Sequence, residues 1–201
     1  MNDDELDFLQ WKIELTDKEI FLVGKIIAQW SALEHEVFLQ TLRTYEVSNG
    51  EEVSLPKQMN NLQFTKVLEL WNERVAQKVG GVRQDVLTNQ FHRILHYKEY
   101  RDSLVHGMWD WSKTDLSNIS TIRVRKTEVI TTKFTLNDLN DLHSVIAGIN
   151  FKIRYPGGVE DYARQFEESG SYISRRALSI FSGSSVANDW ITLGVQPKKK
   201  S

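Results

Sequence analysis

The sequence contains no cysteine. That excludes a disulfide framework, a thiolate metal site and any cysteine nucleophile. Prolines are scarce, with only Pro56, Pro156 and Pro197 marking natural joints in 201 residues. No apolar run approaches the roughly 18 residues of a membrane span. The acidic stretch Met1 to Asp7 lacks the basic-then-apolar pattern of a signal peptide. A cytoplasmic protein with no membrane partner is expected. Charge of one sign is also lacking, since 25 basic residues face 27 acidic ones. A dedicated duplex-binding protein carries a larger basic excess. What is present is enough apolar sequence, about 45% with Gly included, to bury a core in one domain or one domain with an appendage.

The charges are unevenly spread. Residues 1–20 hold seven acids against Lys12 and Lys18, a local net of −5. Residues 83–126 hold eight bases against five acids, a net of +3, together with three histidines. That balance suits contact with a few phosphates better than a long nucleic-acid track.

Thr16 and Glu19 have the spacing of a capping box and predict a long helix from Thr16 to Tyr45. At 100° per residue, Val23, Ile26, Ile27, Leu33, Val37 and Thr41 fall within about 60° of Trp30. Val47 to Pro56 reads as a polar connection with an Asn-Gly turn. A second helix is expected over 61–79, with Phe64, Val67, Leu68, Trp71 and Val75 on one side, and Gly80-Gly81 stops it. A third is expected over 85–106, with Leu87, Phe91, Ile94, Val105 and Met108 clustered and Gly107 ending it. Ile119–Arg125 and Val129–Phe134 alternate and predict a β-hairpin across Lys126-Thr127-Glu128. Thr135 and Asp138 repeat the capping pattern, followed by Leu139, Leu142, Ile146, Ile149 and Ile153 at helical steps. Short helices are expected over 159–168 and 172–182, then a basic tail. The expected fold is an all-α up-and-down bundle with an inserted hairpin over about 119–134. Its helical domain covers residues 1–155, with an acidic lead over 1–15, and a C-terminal helical appendage covers 156–201.

Two charges fall on faces predicted to be apolar, Glu34 on the first helix and Arg101 on the third. Buried charge is costly unless paired, so these are either a structural pair or part of a site. His106 lies five residues beyond Arg101, about 7.5 Å along an ideal helix and on the flank of the stripe. Asp102 precedes His106 by four residues on the same flank, where it would orient the imidazole and raise its pKa. An ordinary helix-terminal histidine favoured by the helix dipole is the plainer alternative. His92 and His96 are spaced for chelation but point away from the core with no third ligand, so no metal and no cofactor is expected.

The segment Tyr100-Arg101-Asp102-Ser103-Leu104-Val105-His106-Gly107 resembles the signature of the HEPN superfamily, an Arg, a polar residue and a His at a helix end. The long first helix with its internal acid Glu34 is similar too, and the resemblance covers roughly residues 16–155. It implies a metal-independent endoribonuclease, a hydrolase-like toxin or defence protein, that is a homodimer with both motifs in one cleft. His106 of each subunit would serve as base and acid, Arg101 would stabilise phosphoryl charge, Asp102 would orient His106, and Glu34 would hold Arg101. Products would be a 2′,3′-cyclic phosphate and a 5′-hydroxyl. Arg123, Arg125 and Lys126 on the hairpin would grip RNA, or would form a solvated strand face. The alternative function is a non-catalytic dimeric module that binds RNA or a protein such as an antitoxin or regulator. Met108, Trp109 and Trp111 suit either an interface or a seal on the hairpin.

Overall fold

A computed structural model describes residues 15–45, 55–60, 63–110 and 118–170. Within them the protein is mainly helical with one small antiparallel sheet. The elements are α1 (Asp17–Arg43), α2 (Lys57–Asn60), α3 (Phe64–Arg74), a 3₁₀ turn (Ala76–Lys78), α4 (Gly81–His106), β1 (Met108–Asp110), β2 (Ile119–Arg125), β3 (Glu128–Phe134), α5 (Leu136–Arg154) and α6 (Val159–Glu168). The acidic lead, the polar connection, Trp111, the helix expected over 172–182 and the basic tail lie outside the described residues.

Both capping boxes form. The Thr16 N–H donates to Glu19 Oε2 at 2.7 Å and the Glu19 N–H donates to Thr16 Oγ1 at 3.3 Å. The Thr135 N–H donates to Asp138 Oδ2 at 2.8 Å, and the Asp138 N–H returns the bond to Thr135 Oγ1 at 3.1 Å. Each box satisfies two amides that a helix start leaves without partners.

The chain divides into two compact units that are discontinuous in sequence, one of 1–33 with 94–147, the other of 34–93 with 148–201. In the first unit, Leu22, Ile26, Trp30 and Leu33 of α1 are buried, as are Ile94 and Leu104 of α4 and Leu139, Leu142 and Ile146 of α5. The buried stripe of α1 is centred about 30° to the Ile26 and Leu33 side of Trp30. That leaves Ile27, expected in the core, 45% exposed and brings Leu22 in instead.

The sheet belongs to this unit and has the order β1-β2-β3, all antiparallel. The hairpin pairs Ile119 with Phe134 and Arg125 with Glu128, so its turn is the two residues Lys126-Thr127 rather than three. Lys126 adopts a φ of 57°, as mirror-image hairpin turns require. The third strand, β1, is not expected from the sequence. It sets Met108 opposite Ile122 and Asp110 opposite Ser120. Gly107 makes this passage from helix to strand possible. A Cβ there would overlap the Ser103 carbonyl and lie 2.8 Å from Thr121 Cβ.

The sheet covers the end of α4 from the side opposite the Ile94 stripe. Ser103 Oγ and Thr132 Oγ1 lie 3.2 Å apart, and both Ser103 and Thr121 are buried. The covered face of α4 therefore turns near its end. Val105 and Met108, expected to cluster with Ile94, are 40% and 62% exposed.

In the second unit, Val37 and Thr41 of α1, Val67, Leu68 and Trp71 of α3, Leu87 and Gln90 of α4, and Ile149 and Ile153 of α5 are buried. One side chain joins three of these helices. Gln40 Nε2 donates to the Ile153 carbonyl at 2.9 Å while Gln40 Oε1 accepts from Trp71 Nε1 at 2.8 Å. Gly80 and Gly81, with φ of 72° and 57°, reverse the chain, so α4 starts at once at Gly81, four residues before the expected Asp85. α6 lies in this same unit, where Asp161 is tied to Arg83 of α4.

Candidate functional site

The last turns of α4 carry Lys98, Arg101, Asp102 and His106. Asp102 is 6% exposed, a buried carboxylate in a helix. Its Oδ2 accepts from Lys98 Nζ at 2.5 Å and its Oδ1 from Arg101 Nη1 at 2.9 Å. Burial alone would raise the Asp102 pKa, but the hydrogen bonds and charges of Lys98 and Arg101 outweigh it, and the pKa is lowered. Arg101 also lies over the indole of the buried Trp30, 5.4 Å from the ring centroid, so a cation–π contact fixes its approach from α1.

The expected partner of Asp102 was His106, and the structure corrects this. Both carboxylate oxygens are engaged by Lys98 and Arg101, and no hydrogen bond joins Asp102 to His106 among the described residues. The reason is directional. Cα–Cβ bonds in a helix tilt toward its N-terminus, so a short side chain at position 102 leans back toward 98 and away from 106. Lys98 is thus the member of this cluster missing from the sequence reading, although its four-residue spacing from Asp102 was a usable signal.

His106 is the last residue of α4 and is exposed. Its imidazole stands in solvent, about 6 Å along the axis from Asp102. Chemically the cluster offers a fixed guanidinium, a fixed ammonium and a free imidazole at one helix end. Glu34 is half-buried on α1 and belongs to the other unit.

The hairpin cations do not form an open stripe. Arg123 Nη1 reaches the Glu99 carbonyl at 3.5 Å, and Arg125 Nη1 reaches Glu99 Oε1 at 3.1 Å. The Arg125 and Glu99 side chains are 60% and 47% exposed, so this pair is weak and water competes for both partners. Lys126 is exposed at the turn.

His92 and His96 are exposed on α4, as expected, with His96 against Tyr97 and Tyr100. Among the described residues no group of three or more metal-ligating side chains converges, and no helix is long and apolar enough to cross a membrane. No family model, curated protein or solved structure matches the chain.

Proposed function

We propose that this protein is a metal-independent endoribonuclease of the HEPN kind, working as a homodimer. The observation that carries the reading is the exposed His106 one turn beyond the network of Lys98, Asp102 and Arg101 on the same helix. Cleavage of RNA by its own 2′-hydroxyl needs a base for that proton, an acid for the departing 5′-oxygen, and a cation for the crowded phosphorane. One chain supplies one exposed imidazole at this helix end, and two-fold symmetry supplies the second. His106 of one subunit takes the 2′-hydroxyl proton as the oxygen attacks phosphorus. His106 of the other gives a proton to the 5′-oxygen as its bond to phosphorus breaks. A 2′,3′-cyclic phosphate and a 5′-hydroxyl result.

In this reading Asp102 is a positioning residue for the cations and does not touch the imidazole. The planar guanidinium of Arg101, held by Asp102, is the cation that meets the phosphoryl oxygens. The test is cleavage of mixed RNA in EDTA by wild type, Arg101→Ala and His106→Ala, after equal folding is established. The reading expects cyclic-phosphate ends from wild type and at least a hundredfold loss in both variants. Folded variants that cut as well as wild type refute it.

A second reading, a non-catalytic dimeric binding module, is favoured by the exposed apolar side chains near this site. Val124 and Val129, register partners near the hairpin tip, are 62% and 68% exposed, as is Met108 at 62%. A wild type silent on RNA moves the assignment to this module.

A further inference from the structure

The second unit holds a cleft with no place in the ribonuclease reading. It has a volume of about 540 Å³ and is lined by arginines from four elements, Arg43 of α1, Arg83 of α4, Arg154 at the end of α5 and Arg164 of α6. Clefts of this size take ligands of nucleotide dimensions. Two carboxylates, Glu36 and Asp161, face the four arginines, leaving a net of +2.

The way these carboxylates are used makes the cleft a receptor for anions. Asp161 is 9% exposed. Its Oδ1 accepts from Arg83 Nη2 at 2.5 Å and also from Arg164 Nη2, while its Oδ2 accepts the Gly157 N–H at 2.6 Å. Arg154 gives only its Nε to Glu36 Oε2, at 2.9 Å. Each guanidinium has five N–H groups, so one carboxylate contact fixes its position and leaves most of the fork for a ligand. The side chains of Arg83, Arg154 and Arg164 are still 47%, 43% and 57% exposed. Arg43, in the last turn of α1, is exposed. One wall is aromatic and fixed. The Tyr155 hydroxyl donates to Gln165 Oε1 at 2.7 Å, and its ring packs against Phe151 and Tyr162, both at 5.1 Å.

Planar forks held on separate elements match adjacent phosphoryl groups, which present several oxygens in more than one direction. A single carboxylate would engage one or two of them. We propose that this cleft binds a small ligand carrying a di- or triphosphate, with Arg43, Arg83, Arg154 and Arg164 on its phosphoryl oxygens and Tyr155 along the organic part. The site is independent of His106 and of any cleavage there.

The test is calorimetric titration of the 201-residue chain in EDTA and low salt with inorganic pyrophosphate, ATP and adenosine. Pyrophosphate and ATP should bind and compete with each other, adenosine should not, and affinity should fall as salt rises. Arg43→Glu should weaken both anions at least tenfold with unfolding temperature unchanged, because Arg43 is exposed. Arg154→Gln gives a second reading that spares Asp161. Failure of both anions to bind at millimolar concentration overturns the proposal, as does binding indifferent to Arg43→Glu and Arg154→Gln. A short single-stranded oligoribonucleotide that binds in an Arg43-dependent way while pyrophosphate and ATP do not also overturns it, because the phosphates would then have to belong to a chain.

Discussion

Removal of the Asp102 carboxylate tests the central network of α4 directly. Asp102→Ala takes away the acceptor of two charge-assisted bonds, from Lys98 at 2.5 Å and Arg101 at 2.9 Å. Bonds of this kind contribute about 1.5–3 kcal/mol each. Breaking a fully buried ion pair costs about 3–5 kcal/mol, because the abandoned charge stays buried. Here the abandoned charges have an escape. The Lys98 and Arg101 side chains are 25% and 20% exposed, against 9% for Asp102, so both cations regain some water. The expected net loss is about 2–3 kcal/mol, or roughly 5–10 °C in Tm for a chain of this length.

Urea unfolding followed by tryptophan fluorescence and far-UV dichroism measures it, and its dependence on pH separates charge from packing. The Asp102 pKa is lowered in the folded state from an ordinary 3.8. Its contribution is therefore complete above that ordinary value and is lost as pH falls through the folded pKa. The gap between wild type and Asp102→Ala should be constant near neutrality and shrink below about pH 4. A loss under about 0.5 kcal/mol at pH 7 would refute the network's role in stability. A gap that keeps its full size to the lowest pH at which the protein folds would refute its ionic character.

Other expectations follow from single features. Gly107→Ala should lower Tm by several degrees and perturb β1, since the new methyl meets the Ser103 carbonyl and Thr121 Cβ; an unchanged Tm would mean the chain relaxes there freely. Thr135→Ala should cost about 1 kcal/mol in chemical denaturation by removing the capping oxygen of α5, and a loss within error would show the box to be idle. Burial, followed by the charge of Lys25, lowers the His143 pKa. The unfolded chain then takes up the proton first, so stability should decline as pH falls from 6.5 and level off below the folded pKa. His143→Gln should flatten that portion of the pH–stability curve, and a curve of unchanged slope refutes the assignment.

The features legible in the sequence are those decided within a few residues. The capping pairs Thr16/Glu19 and Thr135/Asp138 needed only a hydroxyl and a carboxylate three positions apart, and both boxes form. The stripe Leu139, Leu142, Ile146, Ile149 and Ile153 is buried throughout α5 because its core face keeps one direction for all 19 residues. β1 was not legible. Three residues are too few to alternate, and Met108-Trp109-Asp110 becomes a strand only because β2 lies beside it. The choice of Lys98 over His106 by Asp102 depended on side-chain direction, which spacing alone does not encode.

The end of α4 failed in a more informative way. Relative to Ile94, Val105 falls at about 20° and Ser103 at about 180° on an ideal helix, so periodicity buries the first and exposes the second. The structure does the reverse, because the sheet covers the far side of the last turns and leaves Val105 in solvent. A helix whose covered face changes along its length has no single apolar stripe, and a polar residue there cannot be assigned inside or outside by angle. Asp102, about 80° from Ile94, is buried in that changeover with two cations to balance it, while His106, at about 120°, runs past the cover into solvent. On α1 the pattern is off only by a small rotation that exposes Ile27 and buries Leu22, whereas at the end of α4, where Lys98, Arg101, Asp102 and His106 gather, inside and outside are exchanged. Local rules fail chiefly at functional or strained positions, so this charged cluster is where substitutions at Arg101 and His106 are the most informative.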